Sequence, residues 1–262
     1  MKMSVSLRTS SVKSPALRID ISAGYLRYLD CQAPTLRGIN VSFPAGQWSC
    51  ILGRSGCGKT SLLRYLAGLL DQQVSWSGEL KITPAQFDLK NNIAYMAQQD
   101  LLMPWLSVLD NVTLSAKFGN SITAVEKQAA LALLDKVGLA GSANSLPQTL
   151  SGGMRQRVAL ARTLMQDKSV ILMDEPFSAL DAVTRYRLQD LAWELLRDKT
   201  VILITHDPQE AIRLADKIYI MQGKPSSAES LEVPNSLTPR QFDAECAQLQ
   251  QSIMACLEQD DA

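Results

Sequence analysis

The chain has one histidine, His206, and no net charge, its 26 basic residues balancing 26 acidic ones. That balance removes the electrostatic ground for expecting nucleic acid as a partner, since such binding rests on a basic surface. The five cysteines, Cys31, Cys50, Cys57, Cys246 and Cys256, are odd in number and form no C-x-x-C pair. This argues against a disulfide framework and a structural zinc site, and fits a reducing cytosol. No stretch approaches the roughly 18 to 20 apolar residues that cross a bilayer. The amino-terminal region carries Lys2, Arg8, Lys13 and Arg18 without the apolar centre of a secretion signal, so none is expected. If the protein works at a membrane, other subunits supply the spans.

What is present describes a folded protein. With 262 residues, 46% of them hydrophobic and 20% charged, the chain is long and apolar enough to bury a real core. Residues 1–16 are polar and Ser-rich and read as a loose tail. Strand-like runs follow at Leu17–Ile21, Gly38–Phe43 and Trp48–Leu52, then a Gly-rich loop, then Leu62, Leu63, Leu66 and Leu69 at helical spacing. Between Leu101 and Leu150 no strand stands out, while Val125–Val137 reads as a helix closed by Gly138. Strands then alternate with helices: Val170–Met173, Thr184–Leu196, Val201–Thr205, Pro208–Ala215 and Lys217–Met221. A polar loop after Gly223 leads to a last helix near Pro239–Leu257. The alternation predicts an α/β fold on a parallel sheet, interrupted by a helical insertion.

The Gly-rich loop Gly53-Arg54-Ser55-Gly56-Cys57-Gly58-Lys59-Thr60 fits G-x-x-x-x-G-K-[ST] at every fixed position. Glycines let backbone N–H groups converge on phosphates, and the helix that follows points its positive end at the same anion. Lys59 is positioned to reach β- and γ-phosphates, the Thr60 hydroxyl to ligate Mg²⁺, and Ser61 counts among the nucleotide contacts. Downstream, Val170–Met173 ends in Asp174 and Glu175, at the strand edge where open α/β sheets bind ligands. Asp174 suits Mg²⁺, and Glu175 suits polarising the water that attacks the γ-phosphate.

Many phosphate-loop proteins share these two features. Leu150-Ser151-Gly152-Gly153-Met154-Arg155-Gln156-Arg157 narrows the choice, because it resembles the signature of ABC ATPases, L-S-G-G-Q/M followed by a basic helix. Three further segments resemble that family in order: Gln98 its Q-loop, Ser178-Ala179-Leu180-Asp181 its D-loop, and Thr205-His206-Asp207 its switch histidine. The resemblance covers residues 17–225 and implies a RecA-like P-loop NTPase core with an N-terminal antiparallel β subdomain and an inserted α-helical subdomain. The boundaries it implies are 17–97 and 158–225 for the core, 98–157 for the helical subdomain, and 226–262 for a short helical tail.

The resemblance also implies roles. Lys59, Gln98, Glu175 and His206 carry hydrolysis; Thr60, Gln98 and Asp174 hold Mg²⁺; Ser151, Gly152, Gly153 and Asp181 complete the ATP site of a second copy in a head-to-tail dimer. Tyr28, with Tyr25 as the alternative, is the expected platform for adenine. Within the family, Gln99–Val112 and Asp174–Asp181 resemble importer ATPases of the nitrate, sulfonate, taurine and pyrimidine-precursor group. Partners implied are two transmembrane permease subunits and, indirectly, an extracytoplasmic solute-binding protein, with the chain at the cytoplasmic face of a bacterial inner membrane. The apolar Leu101–Trp105 run either docks on a permease or folds inward as core. The alternative function is the ATPase of a separate-subunit exporter.

Overall fold

The computed structural model describes residues 15–117 and 122–259, so most of the expected tail lies outside the described residues. In chain order the elements begin β1 (Arg18–Tyr28), β2 (Leu36–Phe43), β3 (Trp48–Gly53), α1 (Lys59–Leu66), β4 (Val74–Thr83) and β5 (Ile93–Met96). Four helices follow: α2 (Val108–Val112), α3 (Leu114–Lys117), α4 (Ala124–Lys136) and α5 (Gly152–Met165). The chain continues with β6 (Val170–Asp174), α6 (Ala182–Leu196), β7 (Thr200–Ile204) and α7 (Pro208–Leu214). It closes with β8 (Lys217–Gln222), β9 (Ser227–Leu231) and α8 (Ala244–Gln259).

Two compact units result: Ala16–Gln99 with Lys168–Ala262, and Asp100–Asp167. The first holds both sheets. One is antiparallel, in the order β2-β1-β4; the other runs β5-β6-β7-β3-β8-β9, parallel except for its last strand. Every residue of β3, β6 and β7 is buried, which explains why these strands read as continuous apolar runs rather than alternations. Leu17 is fully buried and its carbonyl accepts a bond from Thr200 Oγ1 at 2.7 Å, so the body begins there.

Three strands stand outside the elements expected from the sequence. β4 does alternate, with Val74, Trp76, Leu80 and Ile82 packed on the core and Ser75, Ser77, Glu79 and Lys81 between them, and β5 is the short apolar run Ile-Ala-Tyr-Met; β9, Ser-Ala-Glu-Ser-Leu, lies where a polar loop is expected. β9 pairs antiparallel with β8 at the sheet edge, where one backbone ladder suffices and no apolar face is required. The last helix begins at Ala244 rather than Pro239. Arg240 is the reason: its buried guanidinium donates to Ile212 O at 2.8 Å, Ala215 O at 2.6 Å and Pro234 O at 3.0 Å, pinning the segment beside the end of α7.

In the second unit α4 opens with a capping box. Glu126 N donates to Thr123 Oγ1 at 3.2 Å, and Thr123 N donates back to Glu126 Oε2 at 2.8 Å. The expected boundary at residue 157 falls inside α5, which is continuous to Met165 and packs on α2 and α4. Buried Asn111 on α2 organises the loop before it. Its Nδ2 donates to the carbonyls of Met103, Leu106 and Ser107 at 3.2, 3.1 and 3.0 Å, while Oδ1 accepts from Met103 N at 2.8 Å. That loop sinks Leu102 and turns Trp105 outward, leaving it 73% exposed.

Candidate functional site

Four parallel strands deliver the site. β5, β6, β7 and β3 lie side by side, with Met96 opposite Met173, Asp174 opposite Ile204, and Ile204 opposite Ile51. Their carboxyl ends therefore bring Gln98, Asp174–Glu175, His206 and the Gly53–Thr60 loop to one sheet edge. A ligand in an open α/β sheet meets the chain at such an edge.

The loop folds around its glycines. Gly53 has φ 154°, and a Cβ there would come 2.5 Å from Met221 O and 2.8 Å from Cys57 Sγ. Gly58 caps α1 at φ 96°, where a Cβ would strike Leu36 Cδ2 at 2.7 Å. Helix α1 has no side-chain cap and no acidic residue in its first turn. α2, α4, α5, α6 and α7, in contrast, are each capped by a side chain. The first N–H groups of α1 are left for an anion, as a phosphate site requires. Lys59 is buried, and its Nζ donates to Gly53 O and Arg54 O at 2.7 Å each.

Glu175 is the pivot of the opposite wall. Its backbone has φ 49°, a left-handed conformation that costs a non-glycine residue about 1–3 kcal/mol and occurs preferentially at functional sites. Glu175 N donates to Ile204 O at 2.9 Å and holds that turn. The carboxylate oxygen Oε2 accepts from Gln98 Nε2 at 3.2 Å and lies 3.2 Å from His206 Nδ1. The imidazole is 64% exposed and the Glu175 side chain 18%, so both reach a solvent-open face.

Asp174 is buried, and burial raises its carboxyl pKa while the Thr60 hydroxyl opposes that rise. Its Oδ2 has no hydrogen-bond partner among the described residues. An orphaned buried carboxylate oxygen beside the Thr60 hydroxyl has the chemistry that suits a hard cation. Among the described residues no cluster of three His, Cys, Asp or Glu could hold a metal by itself. A cation here would depend on phosphate oxygens, as Mg²⁺ in nucleotide sites does.

Tyr28 and Tyr25 differ in placement. The Tyr28 ring packs against the core cluster that includes Leu62 and Leu63, and its hydroxyl lies 2.9 Å from Ser61 Oγ on α1. Tyr25 is absent from that cluster. Asp181 accepts from Thr184 N at 3.0 Å as the cap of α6, a bond that lowers its pKa. In the helical unit Ser151 caps α5 in the same manner, accepting from Met154 N at 3.3 Å.

The basic residues of α5 serve structural ends. Arg155 Nε pairs with Asp100 at 3.0 Å, Arg157 donates to Val137 O at 2.9 Å, and Arg162 donates to Leu101 O at 2.8 Å and Asp100 O at 2.6 Å. Asn111 and Glu210 are buried polar residues with no role expected from the sequence; an Asn or Glu within an otherwise buried helical face is the signal that marks such residues.

Residues 36–178 match the ABC transporter family. The chain belongs to that family. It is 45% identical over 222 residues to an uncharacterized ABC transporter ATP-binding protein of Haemophilus influenzae, covering 82% of this chain and 89% of the relative. It is 40% identical over 215 residues to an aliphatic sulfonates import ATP-binding protein of Paracoccus denitrificans, covering 81% and 84%. Among solved structures it resembles a dimeric post-hydrolysis ATP-binding cassette bound to ADP and Pi, with TM-score 0.70, 28% identity, and 86% and 100% coverage. This ABC cassette is the ATPase subunit of its transporter, with a P-loop NTPase fold. No helix among its described residues is long and apolar enough to cross a membrane.

Proposed function

We propose that this ABC ATPase powers an importer for a small polar solute of the sulfonate type, acting as a head-to-tail dimer that closes on ATP. The carrying observation is the Glu175 carboxylate, held by Gln98 and His206 across from an uncapped phosphate loop. Lys59 and the loop N–H groups bind the β- and γ-phosphates. Glu175 Oε2 accepts a hydrogen bond from the attacking water and draws its proton, while His206 and Gln98 keep that oxygen in place. Thr60, Asp174 and Gln98 would hold Mg²⁺. When bound, that ion neutralises charge on the transferred phosphoryl group.

Tyr28 is the adenine platform in this reading, favoured over Tyr25 by its contact with the helix that carries the phosphate loop. Ser151, Gly152 and Gly153 form the anion-binding helix start that completes the site of the second copy. Asp181, with its carboxylate engaged in capping α6, shapes the neighbouring turn at that dimer contact. Import is favoured by the relative named for aliphatic sulfonates import and by the exposed Leu101 and Trp105, an apolar surface suited to a permease loop. The subunit then sits peripherally at the cytoplasmic side of a membrane, with two permease subunits and, through them, a solute-binding protein.

Light scattering tests the dimer. The Glu175→Gln chain is expected to double its mass with ATP, and adding Ser151→Arg to abolish the doubling without loss of ATP binding. A Glu175→Gln chain that stays monomeric with ATP bound contradicts the proposal.

A further inference from the structure

His206 stands on a turn between β7 and α7, and the residues on either side of it share one hydrogen bond system. Thr205 Oγ1 accepts from Asp207 N at 3.1 Å, bridging the backbone across His206. The same hydroxyl donates to Glu210 Oε2 at 3.0 Å, with both residues buried. Glu210 is not needed to cap α7, because Asp207 already accepts from Gln209 N at 2.9 Å. From α6, Arg185 reaches Asp207 Oδ2 at 3.5 Å and donates to Leu180 O at 3.1 Å, bracing the turn against the Ser178–Asp181 segment. A carboxyl group buried here, with Oε1 lacking a hydrogen-bond partner among the described residues, is expensive for the fold unless its position serves the site beside it.

We propose that Glu210 is a positioning residue: through the Thr205 hydroxyl and the Asp207 amide it fixes the turn that aims His206 Nδ1 at Glu175 Oε2. The inference rests on the catalytic reading of Glu175 and His206 given above. A hydroxyl that donates to Glu210 has its lone pairs turned to Asp207 N, so the two bonds set one rotamer of Thr205 and one path for the backbone around His206. Loss of either bond lets the turn relax. A displacement near 1 Å at the imidazole is enough to cost a large share of turnover. Nucleotide affinity, set by the phosphate loop, is untouched.

The test uses the full, untagged chain and two readouts. In ATPase assays Glu210→Leu and Thr205→Val lower kcat about tenfold or more with KM for ATP changed less than about threefold, whereas Glu210→Gln and Thr205→Ser, which keep the hydrogen bonds, restore turnover. His206 is the only histidine, so its imidazole signal in NMR needs no assignment. In Glu210→Leu and Thr205→Val that signal moves to the position it takes in Glu175→Ala, and in Glu210→Gln it stays.

Thr205→Val, nearly equal in volume to the native residue, decides the matter if Glu210→Leu fails to fold. The positioning role is overturned if His206→Ala abolishes turnover while folded Thr205→Val keeps wild-type kcat and an unmoved imidazole signal. If His206→Ala itself keeps wild-type turnover, the catalytic reading fails, and the positioning role with it.

Discussion

His206 Nδ1 and Glu175 Oε2 lie 3.2 Å apart at the ends of neighbouring strands β7 and β6, and Gln98 Nε2 approaches the same oxygen at the same distance. One carboxylate oxygen is thus fixed from two sides. The other wall is a phosphate loop whose helix start has no protein cap. In the proposed reading the phosphate loop binds ATP and Glu175 activates water, so substitutions should separate the two.

Gly53→Ala tests the loop wall. The backbone at φ 154° and a Cβ 2.5 Å from Met221 O leave no room for a side chain. Destabilisation of at least about 1–3 kcal/mol is expected from the backbone conformation alone. ATP binding should fall as well. Thermal unfolding and nucleotide titration check this, and an unchanged Tm with unchanged affinity would contradict the geometry.

Glu210 gives a pH dependence with a definite sign. Burial is the main cause that lifts its pKa from 4.5 to about 8; the Thr205 hydrogen bond opposes the shift, Asp207 and Glu175 add to it, and Arg185 offsets part. Cys50, on the adjoining strand β3, is fully buried and its own thiol pKa is raised. Between pH 4.5 and about 8 the folded chain keeps a proton that the unfolded chain has lost. Stability therefore falls as pH rises through this window, by up to about 1.4 kcal/mol per pH unit. Glu210→Gln removes this slope, so its Tm should rise relative to the native chain from pH 5 to pH 8. Parallel Tm curves would rule out the buried proton.

Trp105 and Asn111 form a contrasting pair. With 73% of Trp105 exposed, Trp105→Ala should alter stability by no more than about 0.5 kcal/mol. A core tryptophan would cost about 3–5 kcal/mol. Asn111→Ala removes an amide whose two N–H donors are shared among three carbonyls and whose oxygen accepts from Met103 N, and should cost at least about 2 kcal/mol. Denaturant titration of both variants distinguishes the two. Equal losses would mean that the loop is not built as described.

Much of this site was legible because its parts are local and chemically distinctive. The spacing of Gly53, Gly58, Lys59 and Thr60 fixes a phosphate loop, and two carboxylates at the end of an apolar strand mark its counterpart. The buried strands β3, β6 and β7 announced themselves as apolar runs. Edge strand β9 could not, since a strand paired on one side needs no apolar face. The left-handed backbone of Glu175 and the Thr205–Glu210 bond are tertiary facts: nothing in Thr-His-Asp or in a Glu four residues beyond His206 declares them. The start of α8 was misplaced because Arg240, which looks like a helical surface residue, is buried against the end of α7.

The central claim is that Glu175 activates the attacking water while the phosphate loop binds ATP independently of it. Steady-state ATP hydrolysis by Glu175→Gln, measured beside its ATP affinity, tests this most directly. The amide keeps the shape of the side chain but cannot take up a proton. Turnover should fall by a factor of at least about 10² with affinity within about threefold of the native chain. Native turnover in a Glu175→Gln chain that binds ATP normally would contradict the account.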